Sequence, residues 1–162
     1  MKAIVVYFSF EGNTKLIAEA VTKTISSDSV ELKTSKKYPT QGLSKFFWGG
    51  KSVMFGEKPE LLNELIDLDQ YDTILIGTPV WASSFAPPIK SFIDQYKIKG
   101  RKIGLFACHG GGGSKKCFEK FKKALDGNAF IGEVDFYEPK KKPEESTQKA
   151  VEWARKISGP AS

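Results

Sequence analysis

The chain has 162 residues, 40% hydrophobic and 27% charged, an ordinary soluble globular composition that is long enough for one domain to bury a full core without staples. No apolar run reaches the roughly 20 residues that span a bilayer, and Met1-Lys2-Ala3-Ile4 runs straight into a strand pattern with neither the apolar region nor the cleavage site of a signal peptide. With 25 Lys and Arg against 19 Asp and Glu the net charge is +6, and two Cys and one His make neither a disulfide framework nor a zinc site, so a cytoplasmic protein with reduced thiols is expected.

Strand-like and helical patterns alternate along the chain. An apolar run at 3–8 predicts a first strand, and a helix over 13–25 follows at once. A weak strand at 30–33 precedes a long segment, 36–59, with the aromatics Phe46, Phe47 and Trp48 and a possible short helix at 43–54 that Gly49 and Gly50 weaken. Such a long connection is either functional or a cover for the sheet. A third strand at 73–77 leads to a helix at 87–96, opened by Pro87-Pro88, which a first turn tolerates. A fourth strand at 102–107 leads to a helix at 114–125 with Cys117, Phe118, Phe121 and Leu125 on one face. A fifth strand at 131–137 leads to a last helix at 144–157.

Strands that read as continuous Ile, Val and Leu runs are buried on both faces. Five of them alternating with helices predict a three-layer α/β fold, a doubly wound five-stranded parallel sheet of order 2-1-3-4-5. Ligands of such sheets sit beyond the carboxyl ends of the strands near the switch point, where three loops converge. After the first strand come Ser9, Phe10, Glu11, Gly12, Asn13 and Thr14, which bring hydroxyls, an amide and the N–H groups of a helix start. That end carries a partial charge of roughly +0.5 and attracts phosphate. After the third strand come Thr78, Pro79, Val80, Trp81, Ala82 and Ser83. Trp81 is either core or a stacking surface, and its loop position favours stacking. After the fourth strand come Cys108, His109, Gly110, Gly111, Gly112 and Gly113, a side-chain-free surface for a flat ring or else a flexible loop. Together these features suggest a phosphorylated, planar, heteroaromatic ligand. His109 as a hydrogen-bonding bystander and Cys108 as a small residue closing a buried strand are favoured over a titrating or redox role.

Ser9-Phe10-Glu11-Gly12-Asn13-Thr14 after the first strand resembles the phosphate loop of flavodoxins, and Gly77-Thr78-Pro79-Val80-Trp81 is similar to their first flavin-flanking loop. The order of elements matches the short-chain members over essentially the whole chain. The resemblance implies non-covalent FMN, its phosphate held by Ser9, Gly12, Asn13 and Thr14 and its ring by residues 78–83 and 108–113, with Trp81 against the isoalloxazine. Two departures stand out. Glu11 replaces a hydroxyl residue and would repel a phosphate unless it turns to solvent or caps an amide. The glycine run replaces the tyrosine that covers the outer flavin face in many flavodoxins, which leaves that face open or covered by Trp48, Phe85 or His109.

Basic residues crowd the C-terminal half, among them Lys115, Lys116, Lys120, Lys122 and Lys123 and the run Lys140-Lys141-Lys142. They read as solvated faces or as a footprint for an acidic partner or nucleic acid. Such a surface stabilises negative charge on a reduced ring. The resulting order of functions is an FMN electron shuttle docking to redox proteins, then an FMN-dependent reductase of small molecules using NAD(P)H, then a nucleic-acid binder. A phosphoacceptor receiver comes last, because no strand ends in the aspartate it needs. A monomer or weak dimer with no metal is expected.

Overall fold

The computed structural model describes residues 1–35, 37–38 and 57–160. In chain order the elements are β1 (Ala3–Tyr7), α1 (Asn13–Ile25), β2 (Asp28–Glu31), a 3-10 turn (Leu68–Gln70), β3 (Thr73–Trp81), β4 (Ser84–Phe85), α2 (Pro87–Tyr96), β5 (Lys102–His109), α3 (Ser114–Ala124), β6 (Ala129–Tyr137), a second 3-10 turn (Pro139–Lys141) and α4 (Pro143–Ser158). The sheet runs β2-β1-β3-β5-β6, every neighbouring pair parallel, and β4 pairs antiparallel with the tip of β3. Apart from that two-residue strand, this is the expected doubly wound order. The possible helix at 43–54 and Trp48 lie outside the described residues.

Alternation along the strands divides the core into two layers. Ile4, Val6 and Phe8 of the β1 segment face one side with Ile74, Ile76, Ile103 and Leu105, where Ile89 and Phe92 of α2 and Cys117, Phe118 and Phe121 of α3 close over them. Val5, Tyr7, Leu75 and Phe106 face the other side, beneath Ile17, Ala18 and Val21 of α1 and Ala150, Trp153 and Ala154 of α4. Each large apolar side chain taken wholly out of water contributes about 1.5–3 kcal/mol, so both layers hold the sheet. Gly77 makes room for one of them. A Cβ there would come within 2.1 Å of the Phe106 ring, so the ring lies flat across β3 only because residue 77 has no side chain.

Two strands run further than expected. Residues 78–81, expected as loop, continue β3, with Thr78 and Pro79 in register with Ala107 and Cys108. The partner is available because β5 extends to His109, supported by β6 as far as Tyr137. The register of β1 with β3 ends at Tyr7 opposite Gly77, so Pro79, which cannot donate, falls where β3 has lost one neighbour. At the tip, Trp81 pairs with Ser84, and the two turn residues between them, Ala82 (φ 48°) and Ser83 (φ 57°), are left-handed. Positive φ at both central residues is the pattern of a tight type I′ hairpin.

Candidate functional site at the carboxyl edge of the sheet

A cleft of about 630 Å³ opens beyond the ends of β1, β3 and β5, within the range of small-molecule sites. It is lined by Phe10, Glu11, Asn13 and Thr14 from the first loop, by Pro79–Ala82 from the β3 hairpin, by Cys108–Gly112 from the end of β5, and by Glu138. The three loops expected to converge do so. Five of the expected residues are not among the lining: Ser9, Gly12, Thr78, Ser83 and Gly113.

Those five hold the walls. The Lys15 N–H donates to Ser9 Oγ at 3.0 Å, so the hydroxyl expected on a phosphate caps the third amide of α1. Gly12 precedes the helix with φ 94°, a left-handed conformation costly for any residue with a Cβ. Thr78 is fully buried; its hydroxyl accepts from the Ala86 N–H at 2.9 Å and donates to the Pro79 carbonyl, which ties the hairpin to the start of α2. Gly113 (φ 90°) lies against Ser83 and Val80, where a Cβ would fall 3.0 Å from Ser83 Oγ. The hairpin turn and the start of α3 therefore meet without a side chain between them.

The Leu16 N–H closes the first turn of α1 on the Gly12 carbonyl at 3.0 Å. The amides of Asn13 and Thr14 head the helix with no helix-internal acceptor, and both residues line the cleft. Glu11 is exposed at the rim. Across from it, Trp81 is half-buried: it lines the cleft and stands edge-on to Phe8, Phe10 and Tyr38 at ring separations of 5.8, 5.4 and 5.1 Å. It is thus both core and wall. Phe85 packs on Phe121 at 4.6 Å and is not among the lining residues.

The third wall is pinned by His109. The Gly112 N–H donates to His109 Nδ1 at 2.9 Å, so Nδ1 carries no proton, and Nε2–H donates to Asp135 Oδ2 at 3.0 Å. Ser114 Oγ donates to the same carboxylate oxygen at 2.9 Å. Burial alone would raise the Asp135 carboxyl, but the bonds from Ser114 and His109 outweigh it and hold the group below its usual range. His109 is therefore a brace for the glycine run, in keeping with the bystander role. A Cβ added at Gly111 or Gly112 would meet nothing within 4 Å, so that wall is bare backbone. Burial pushes the Cys108 thiol up to about 12, opposed by a hydrogen bond with Thr14 and reinforced by Asp135. At neutral pH it is an unreactive thiol.

Sequence reasoning missed Glu138 and Lys140. After β6 the Glu138 N–H donates to the His109 carbonyl at 2.9 Å, and the turn Pro139–Lys141 folds back over the first loop. There the Lys140 N–H donates to Asn13 Oδ1 at 3.0 Å, and Lys140 Nζ donates to the Glu11 carbonyl at 2.7 Å. The available signal was position, since residues 138–142 follow the last strand and so emerge at the same edge of the sheet.

The family model Flavodoxin_4, described as flavodoxin, matches residues 2–157. The chain belongs to the flavodoxin family. Among solved structures it is similar to a flavoprotein in complex with FMN from Lactobacillus acidophilus NCFM, with 28% identity, 88% of this chain and 98% of that one covered, and a TM-score of 0.73. It shares its fold with a flavoprotein from Bacteroides uniformis (22% identity, 94% and 96% covered, TM-score 0.78). The same holds for two-electron reduced Megasphaera elsdenii flavodoxin (22%, 93% and 98%, TM-score 0.59). The described residues contain no cluster of metal-ligating side chains and no helix long and apolar enough to cross a membrane.

Proposed function

We propose that this flavodoxin-family chain binds FMN and carries electrons between redox proteins. The observation that carries the reading is the meeting, in one cleft, of the α1 N-terminus, the Trp81 ring and a backbone strip at Gly111 and Gly112. The residues fit the group. The amides of Asn13 and Thr14 suit a phosphate monoester, Trp81 offers a flat apolar face, and the glycine strip admits a ring system edge-on to backbone donors. When bound, the flavin supplies one- and two-electron chemistry that no side chain here can. The chain orients it, keeps a neutral thiol at Cys108 beside it, and holds the 109–112 loop in place through His109 and Asp135.

The electron-carrier reading draws on the net charge of +6 and on Lys115 and Lys116, exposed at the start of α3 directly after the glycine run. Such positive charge favours acidic redox partners and steers their approach. A second reading, an FMN-dependent NAD(P)H:quinone or small-molecule oxidoreductase, is favoured by one observation: among the described residues nothing lies within 4 Å of a Cβ built on Gly111 or Gly112, which leaves room there for a second planar molecule.

Titration of the apoprotein with FMN tests the cofactor. A stoichiometric complex is expected, yellow with absorption at about 375 and 450 nm, the cofactor's own signature; a protein that is colourless once free FMN has been removed overturns the reading. Assay of the holoprotein with NAD(P)H and a quinone separates the two roles. An electron carrier shows almost no turnover until a reductase is added.

A further inference from the structure

The three lysines of the run Lys140-Lys141-Lys142 are all exposed but differ in their partners. Lys141 pairs with Glu138 at 2.8 Å, while Lys140 lies across the first loop. A Cβ placed on Gly12 would be 3.4 Å from Lys140 Nζ and 3.5 Å from its Cδ. Its ammonium therefore sits over the residue that precedes α1, with one of its three donors on the Glu11 carbonyl and, among the described residues, two left to give. Its backbone acts on the same site. Asn13 Oδ1 accepts the Lys140 N–H, and with its oxygen so engaged the Asn13 amide has its NH2 group left to donate. Asn13 lines the cleft.

We propose that Lys140 is the cationic arm of the phosphate pocket, and that it is the counterweight to Glu11. A carboxylate at the rim raises the potential energy of an incoming dianion. An ammonium arriving from the opposite end of the chain lowers it, and it is held where it does so by the loop's own carbonyl. The inference rests on the FMN reading above and adds to it a specificity: discrimination for the phosphorylated flavin over the free one resides in residue 140 as well as in the helix amides.

The test is titration of apoprotein with FMN and with riboflavin, in the wild type, Lys140→Met and Lys140→Arg, at several salt concentrations. Methionine keeps the length and apolar stem of lysine and removes its charge. For Lys140→Met an FMN affinity lower by about tenfold is expected, the scale of one charge-assisted hydrogen bond at an open site, with riboflavin affinity and apoprotein unfolding temperature unchanged. Lys140→Arg is expected to stay close to the wild type, and the salt dependence of FMN binding to flatten in Lys140→Met, since screening acts on the charge that was removed. Equal losses for FMN and riboflavin would make Lys140 a loop clamp only and overturn the proposal, as would an unchanged FMN affinity with an unchanged salt slope. A wild type that binds neither flavin overturns the FMN reading itself, and the proposal with it; a wild type that binds FMN while Lys140→Met binds it equally well overturns this inference alone.

Discussion

Trp81 carries two loads that a single substitution mixes. One face lines the cleft, and the ring edges pack on Phe8, Phe10 and Tyr38. Trp81→Ala is expected to weaken FMN by about 1–3 kcal/mol, the scale of a base stacked on an aromatic ring, measured as the shift in dissociation constant by flavin fluorescence. Trp81→Phe, which keeps an aromatic ring in place, is expected to lose less. An unchanged constant in Trp81→Ala would mean the ring serves packing alone. Individual residues were legible in the sequence where chemistry and loop position agreed: Trp81, Asn13, Thr14 and Gly110–Gly112 of the glycine run all line the cleft. They were less legible where a polar group also serves the scaffold. The hydroxyls of Ser9 and Thr78 look free in the sequence, yet one accepts from the third amide of α1 and the other ties β3 to α2, as most side-chain hydrogen bonds run to backbone or water. Lys140 was invisible for the opposite reason, since its role depends on which way a turn folds after β6.

Asp135 joins three elements, accepting from His109 at the end of β5 and from Ser114 at the start of α3 while sitting on β6. Its carboxyl is held below the ordinary value of 3.8. A depressed carboxyl contributes stability that is fully present above its unfolded value and is lost as pH falls through its folded one. The gap in urea midpoint between the wild type and Asp135→Asn is therefore expected to be largest near neutrality and to narrow between about pH 5 and about pH 3. A gap that stays constant over that range would mean that charge is not what Asp135 contributes. Helices were the most legible elements. The expected ranges 13–25 and 87–96 agree with α1 and α2, because a Gly-Asn start and a Pro-Pro start mark their first turns. Strand ends were the least legible. Residues 78–81 look like loop by composition, with a proline and a hydroxyl, and become strand because β5 pairs with Thr78 and Pro79 and β4 with Val80 and Trp81. The hairpin at Ala82-Ser83 had no glycine to announce it; its two left-handed residues are held by the packing of Ser83 on Gly113.

The order β2-β1-β3-β5-β6 brings residues far apart in sequence to one edge, and it was legible because alternation of strand and helix with right-handed crossovers leaves few alternatives. A ligand spanning those strand ends binds only the assembled fold and stabilises it by mass action. With FMN at one hundred times its dissociation constant the gain is about 2.7 kcal/mol, expected to raise the unfolding temperature by roughly 5–10 °C for a chain of this size. A calorimetric scan with and without FMN checks this, and no shift at saturation would mean that the folded chain does not bind FMN in preference to the unfolded one. The turn that follows β6 has one more effect. Glu138 lines the cleft, and Lys140 bonds the first loop across 129 positions of chain. A polypeptide that lacks this turn therefore lacks one wall of the cleft, which is whole only once the segment after β6 has folded back on the loop after β1.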